Sequence, residues 1–195
     1  MQSPSTASSG HLMATTPEVT DGVKIYRASA APPLEESGAV RSDFGDNTEL
    51  RDVAVRLASS ECSQARLLVH QSSDEGGMSI VYLFFKPNFP LFRHAHDVNS
   101  LYVVVSGTVV GLMGEKTLRP GDCFAVKAGT PYYYTAGPEG VEVLEMFRDA
   151  DTATVIYTDE NDGRLEEAQD AVRSNAEAWR QITSGPLYRA NAGTS

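Results

Sequence analysis

The sequence predicts an all-β domain, a sandwich or barrel of short strands that carries one amphipathic helix at its C-terminal end and a disordered tail at its start. Three observations predict it. Between residues 66 and 157, short runs rich in Val, Ile, Phe and Tyr alternate with polar turns containing Gly, Pro or Ser. From Arg164 to Ile182, Leu165, Ala168, Val172, Ala176, Trp179 and Ile182 recur at steps of three and four, which is one helical face. The first 20 residues hold ten Ser, Thr or Pro and no apolar period.

Residues 1–21 are therefore assigned to a disordered tail, 22–160 to the β domain with an N-terminal extension, and 161–195 to the helix and a short tail. Lys24-Ile25-Tyr26 reads as a short strand and Ala31 to Gly38 as a loop. Asn47 to Leu57 has both strand-like and helical spacing. Strands are expected at Arg66–Gln71, Met78–Lys86, Leu101–Val105, Thr108–Met113, Cys123–Val126, Tyr132–Thr135, Val141–Phe147 and Thr152–Tyr157. Pro87 stops the second of these, and Ser106-Gly107 closes the third. Pro120-Gly121 supplies the two central residues of a type II turn. Asp162 can cap the helix, Glu166 and Glu167 suit its positive end, and Gly185-Pro186 can stop it. The apolar helical face must be covered, either by its own barrel or by a partner.

Composition narrows the function. Sixteen Lys and Arg against 26 Asp and Glu give a formal charge of -10, which repels a nucleic-acid backbone and an anionic membrane surface. The longest apolar runs are too short to span a bilayer, and no basic, then apolar, start marks a secretory signal. Cys62 and Cys123 have neither metal nor redox spacing, so free thiols in a reducing cytoplasm are expected. No phosphate loop or nucleotide fingerprint is present, so no nucleotide cofactor is expected.

Chemistry concentrates around His94-Ala95-His96. On a strand, residues two apart share a face, so both imidazoles can grip one ion. Glu142 and Glu145 have opposite parity in Val141–Phe147, so one must face inward, and Glu145, flanked by Leu144 and Met146, is the candidate. Of three consecutive tyrosines, Tyr132 and Tyr134 share a side. With Phe92 and Tyr102 they can form an aromatic pocket with phenol donors for a small organic ligand. His70 on an earlier strand can also point inward.

The stretch Asn88 to Gly107 (NFPLFRHAHDVNSLYVVVSG) and the stretch Gly121 to Ala136 (GDCFAVKAGTPYYYTA) resemble the two motifs of the cupin superfamily. His94, His96, Gly107, Gly121 and Gly129 match. Asn88 replaces a glycine, Ser100 the motif glutamate, Lys127 the proline, Tyr132 the second-motif histidine and Ala136 the asparagine. The resemblance covers about residues 66 to 150 and implies an RmlC-like, cupin-type jelly-roll β-barrel. It implies a divalent ion (Fe, Mn, Ni or Zn) at His94 and His96, its shell completed by Glu145, Tyr132, His70 or water. The implied enzyme is a dioxygenase, isomerase or lyase acting on a small organic acid, ketone or phenol, with Tyr132 and Glu145 as catalytic residues. The departures at Ser100 and Tyr132 support the other reading, a metal-free cupin that binds a small ligand as sensor, carrier or degenerate enzyme relative. Cupins often pair, so a homodimer is expected.

Overall fold

A computed structural model describes residues 16–59, 62–71, 73–148, 153–157, 163–183 and 185–186. Residues 1–15 of the expected tail lie outside these. Its last part is ordered: β1 (Glu18–Thr20) pairs with β2 (Val23–Ile25) across Asp21-Gly22, both at positive φ, as a tight hairpin turn requires.

The extension continues through α1 (Leu34–Ser37), β3 (Val40–Asp43) and α2 (Thr48–Ser59). The expected loop at 31–38 thus contains one helical turn, ended by Gly38 in the left-handed conformation. Of the two spacings in 47–57 the helical one prevails, and Asn47 Oδ1 accepts the Leu50 N–H at its start.

The β domain comprises β4 (Ser63–His70), β5 (Met78–Phe85), β6 (Pro90–His96), β7 (Ser100–Leu112), β8 (Lys116–Leu118), β9 (Cys123–Val126), β10 (Tyr132–Arg148) and β11 (Ala153–Tyr157). Two pairs of expected strands are single long ones. Ser106-Gly107 does not turn the chain, because Gly107, at φ 67°, lets β7 run on close against β10. A Cβ at Gly107 would overlap the carbonyl of Gly140. The Arg119–Asp122 turn forms as expected, with Gly121 at φ 94° and a 2.9 Å bond from Asp122 N–H to Arg119 O.

Nine strands form one sheet whose main path runs β3-β11-β6-β10-β5-β4, while β7 pairs with β10, β8 and β9. The path ends on β3 and β4, so the jelly-roll is not a closed barrel. The sheet folds over because β10 gives its first residues to β6 and its second half to β5. Between the two layers lie Val81, Tyr102, Val104, Val109, Val141 and Val143, nearly without solvent contact.

The helix α3 (Arg164–Arg180) covers this domain itself. Trp179 is 2% exposed, meets Phe89 edge-on and donates its indole N–H to Pro87 O at 3.2 Å. The buried Lys86 ammonium donates to Trp179 O at 2.8 Å, at the negative end of the helix. Asp162 lies outside the described residues, and Gly163 is the N-cap. The helix ends at Arg180 rather than at Gly185-Pro186, and Gly185 packs elsewhere. It lies over Glu142 Oε1 and the Tyr82 hydroxyl so closely that a Cβ there would overlap both. No described helix is long and apolar enough to cross a membrane.

Candidate functional site

The strand β6 places His94 and His96 on the inner face, 6% and 5% exposed, as the two-residue spacing predicts. Asp97 points the other way and accepts the Thr154 N–H at 2.7 Å. Across from them β10 begins with Tyr132, in register with His94, and an irregularity follows before Tyr134 pairs with Leu91. Arg164 spans that irregularity: its Nη2 donates to Leu91 O, Tyr134 O and Thr135 Oγ1. The strand register therefore brings Tyr132 onto the histidine pair.

The Tyr132 hydroxyl lies 2.9 Å from His94 Nε2, 3.2 Å from His96 Nε2 and 2.7 Å from the Tyr102 hydroxyl. The Tyr102 hydroxyl is also 2.7 Å from Glu145 Oε1, which accepts from Ser100 Oγ at 3.1 Å. Glu145 Oε1 is 3.7 Å from His96 Nε2. Six buried groups thus form one continuous network.

Its protons can be counted. His94 Nδ1 is 3.0 Å from Phe92 O, so Nδ1 carries the hydrogen and Nε2 accepts from Tyr132. With that proton committed, the 3.2 Å contact is His96 Nε2–H donating to Tyr132. The Tyr102 hydroxyl donates to Glu145 Oε1. Burial acts against the charged forms: desolvation raises the Glu145 carboxyl above its ordinary value and lowers both imidazoles to about 4. The neighbouring His96 depresses His94 further. Desolvation also holds Tyr102 and Tyr132 well above the usual phenol range, so both stay protonated.

This arrangement does not fit a resident divalent ion. Tyr132 Oη occupies the point on which both Nε2 atoms converge, as a protonated phenol. Ser100, where the motif has its glutamate, is bonded to Glu145. Among the described residues no three His, Cys, Asp or Glu converge as metal ligands do. His70 is elsewhere, with Nδ1 3.1 Å from Ser79 Oγ.

Beside the network lies a cavity of about 200 Å³. Phe92, Tyr132 and Tyr134 line it with His94, His96 and Glu145. Tyr102, expected in the pocket, does not line it; fully buried, it links Tyr132 to Glu145 from behind. Phe85, Phe89 and Tyr157 line it without having been expected. Tyr157 sits opposite His94 in the β11–β6 register and stacks on Phe44 at 4.5 Å, a cross-strand pairing that no local pattern announces. The extension contributes to the lining through Leu34 of α1, Val40 of β3 and Ala54 of α2. Glu145 is inward, as its flanks suggested. Glu142 is buried too, on the outer face, accepting from the hydroxyls of Tyr82 (2.6 Å) and Ser106 beneath Gly185.

No family model and no curated protein matches the chain. Solved structures do. The chain is similar to KdgF from Halomonas sp., with 22% identity over 45% of this chain and 82% of that one, at a TM-score of 0.39. It is similar to an RmlC-like cupin from Shewanella frigidimarina, with 22% identity over 46% and 78% of the two chains and the same TM-score of 0.39. Oxalate decarboxylase from Bacillus subtilis matches at 23% identity over 45% of this chain and 25% of its own, TM-score 0.36. The likeness is one of fold.

Proposed function

We propose that the protein is a cupin-type small-molecule-binding protein that works without a metal ion, with Tyr132 in the position an ion would take. The observation that carries this is the single phenol hydroxyl within hydrogen-bond distance of both imidazoles and of Tyr102. The ligand enters the adjoining cavity, where the network of Glu145, Tyr102, Tyr132 and His94 can give or take one proton along bonds of 2.7 to 2.9 Å. That capacity suits a binding protein of the sensor or carrier kind and an enzyme that moves a proton equally well.

The test is a calorimetric screen of small cyclic compounds against the full chain in excess chelator. Saturable binding that persists under chelation and is lost in Ala54→Phe, which puts a ring into the cavity, is the expected result. Binding that appears only after a divalent ion is added would overturn it. The second reading, an oxygenase-, isomerase- or lyase-type enzyme with an ion at His94 and His96, is favoured by the convergence of both Nε2 atoms on one point. It requires Tyr132 to surrender both bonds. A homodimer in a reducing cytoplasm remains part of the proposal, supported by the free thiols of Cys62 and Cys123 and by the acidic charge.

A further inference from the structure

We infer that the cavity receives a neutral, ring-sized carbonyl compound whose oxygen accepts a hydrogen bond from the Tyr134 hydroxyl. The inference rests on the cavity being a small-molecule site and adds the class of ligand.

Size sets the first limit. An apolar cavity of about 150 Å³ admits a benzene molecule, so about 200 Å³ admits one ring with a short substituent. Phe85, Phe89 and Phe92 offer that ring aromatic surface.

Charge sets the second. Among the described residues no Lys or Arg lines the cavity. Its one carboxyl, Glu145, is engaged by Ser100 and Tyr102. A ligand carboxylate would be buried beside Glu145 with no counter-ion, at a desolvation cost that nothing there offsets. Organic acids, expected from the sequence alongside ketones and phenols, are thereby disfavoured.

Hydrogen bonding sets the third. Tyr134 is 1% exposed and lines the cavity, yet its hydroxyl has no hydrogen-bond partner among the described residues. Edge contacts with Phe85 and Phe124, at 6.0 and 6.2 Å between ring centres, hold the ring in place. A fixed phenol O–H on a cavity-lining residue, with no acceptor among the described residues, is free to donate to a ligand. The neighbouring Tyr132 cannot meet the same need, because its proton is committed to His94. A carbonyl oxygen satisfies Tyr134 without bringing a charge.

Titration calorimetry of the full chain at pH 7.5 with acetophenone, benzoate and ethylbenzene tests this. Acetophenone is expected to bind saturably and benzoate at least about tenfold more weakly. Tyr134→Phe should weaken acetophenone about five- to tenfold while leaving ethylbenzene unchanged. Benzoate binding as tightly as acetophenone, or Tyr134→Phe binding acetophenone like the wild type, overturns the ligand class while the site stands. Failure of all three to bind overturns the ligand class and the small-molecule site together. The variant removes a hydroxyl that has no bonding partner among the described residues, and its melting curve checks its fold. Should it unfold, the wild type decides, since ethylbenzene matching acetophenone contradicts a role for a hydroxyl donor.

Discussion

Tyr132 carries the central chemistry, and its neighbours make its removal measurable. Tyr132→Phe keeps the ring and deletes the hydroxyl shared by His94, His96 and Tyr102. Buried donors and acceptors are then left unpaired, at a cost of about 1–3 kcal/mol in urea unfolding. The imidazoles also set a pH dependence. Their folded values near 4 lie below the ordinary 6.5, so between these limits the unfolded chain binds more protons and stability rises with pH. Falling pH should therefore erode stability from about pH 6.5 towards 4, by at most roughly 3 kcal/mol per imidazole. Glu145 acts in the opposite sense, because its raised carboxyl favours the folded state below the ordinary value near 4.5 and loses that contribution as pH rises through the folded value. Unfolding free energies measured from pH 4 to 7 should slope upward in the wild type and flatten in a His94→Gln, His96→Gln double variant; a wild-type profile without slope contradicts the assignment. Most of this site was legible in the sequence. Strand parity put the two histidines on one face, put Tyr132 and Tyr134 on one face of their own strand, and required one inward glutamate. Parity says nothing about how far across the layer a side chain reaches, so Tyr102 was expected in the pocket when it stands behind Tyr132.

At the level of elements, α3 and the β6–β10 register position the site together. The apolar period of 164–182 made the helix visible, but not what it covers: Lys86 and the carbonyl of Pro87, which fasten Trp179, come from a distant loop edge. Trp179→Ala should cost about 3–5 kcal/mol in denaturant unfolding, and an unchanged midpoint would mean that α3 does not dock on its own barrel. Arg164→Met frees the carbonyls of Leu91 and Tyr134 where the β6–β10 pairing shifts, so it should lower stability and loosen Tyr132. The extension was the least legible part. Residues 47–57 satisfy two periods at once, and only the packing of α2 beside the cavity, with Ala54 in its lining, shows which period prevails. The long strand β7 read as a pair because Gly107 looks like a turn, whereas here it allows two backbones to approach.

The whole molecule presents an acidic surface with an apolar area on the outer sheet face around Met78 and Leu101, 45% and 41% exposed. With α3 spent on its own barrel, this face is the remaining motive for the proposed homodimer. Light scattering coupled to size exclusion should give about 42 kDa, twice the 21.0 kDa chain, and a mass of one chain refutes it. The strand count and the turn glycines made the jelly-roll of short strands visible, and the apolar period made the C-terminal helix visible. What the motifs could not decide is whether two histidines without their usual partners still hold an ion, because that depends on where one phenol oxygen settles. The most direct measurement is elemental analysis of protein purified without added metal, followed by melting curves with and without added divalent ions. Metal well below one ion per chain, and a melting temperature indifferent to chelator and to added Fe, Mn, Ni or Zn, is the predicted result. About one ion per chain, lost in a His94→Ala, His96→Ala double variant, would contradict it.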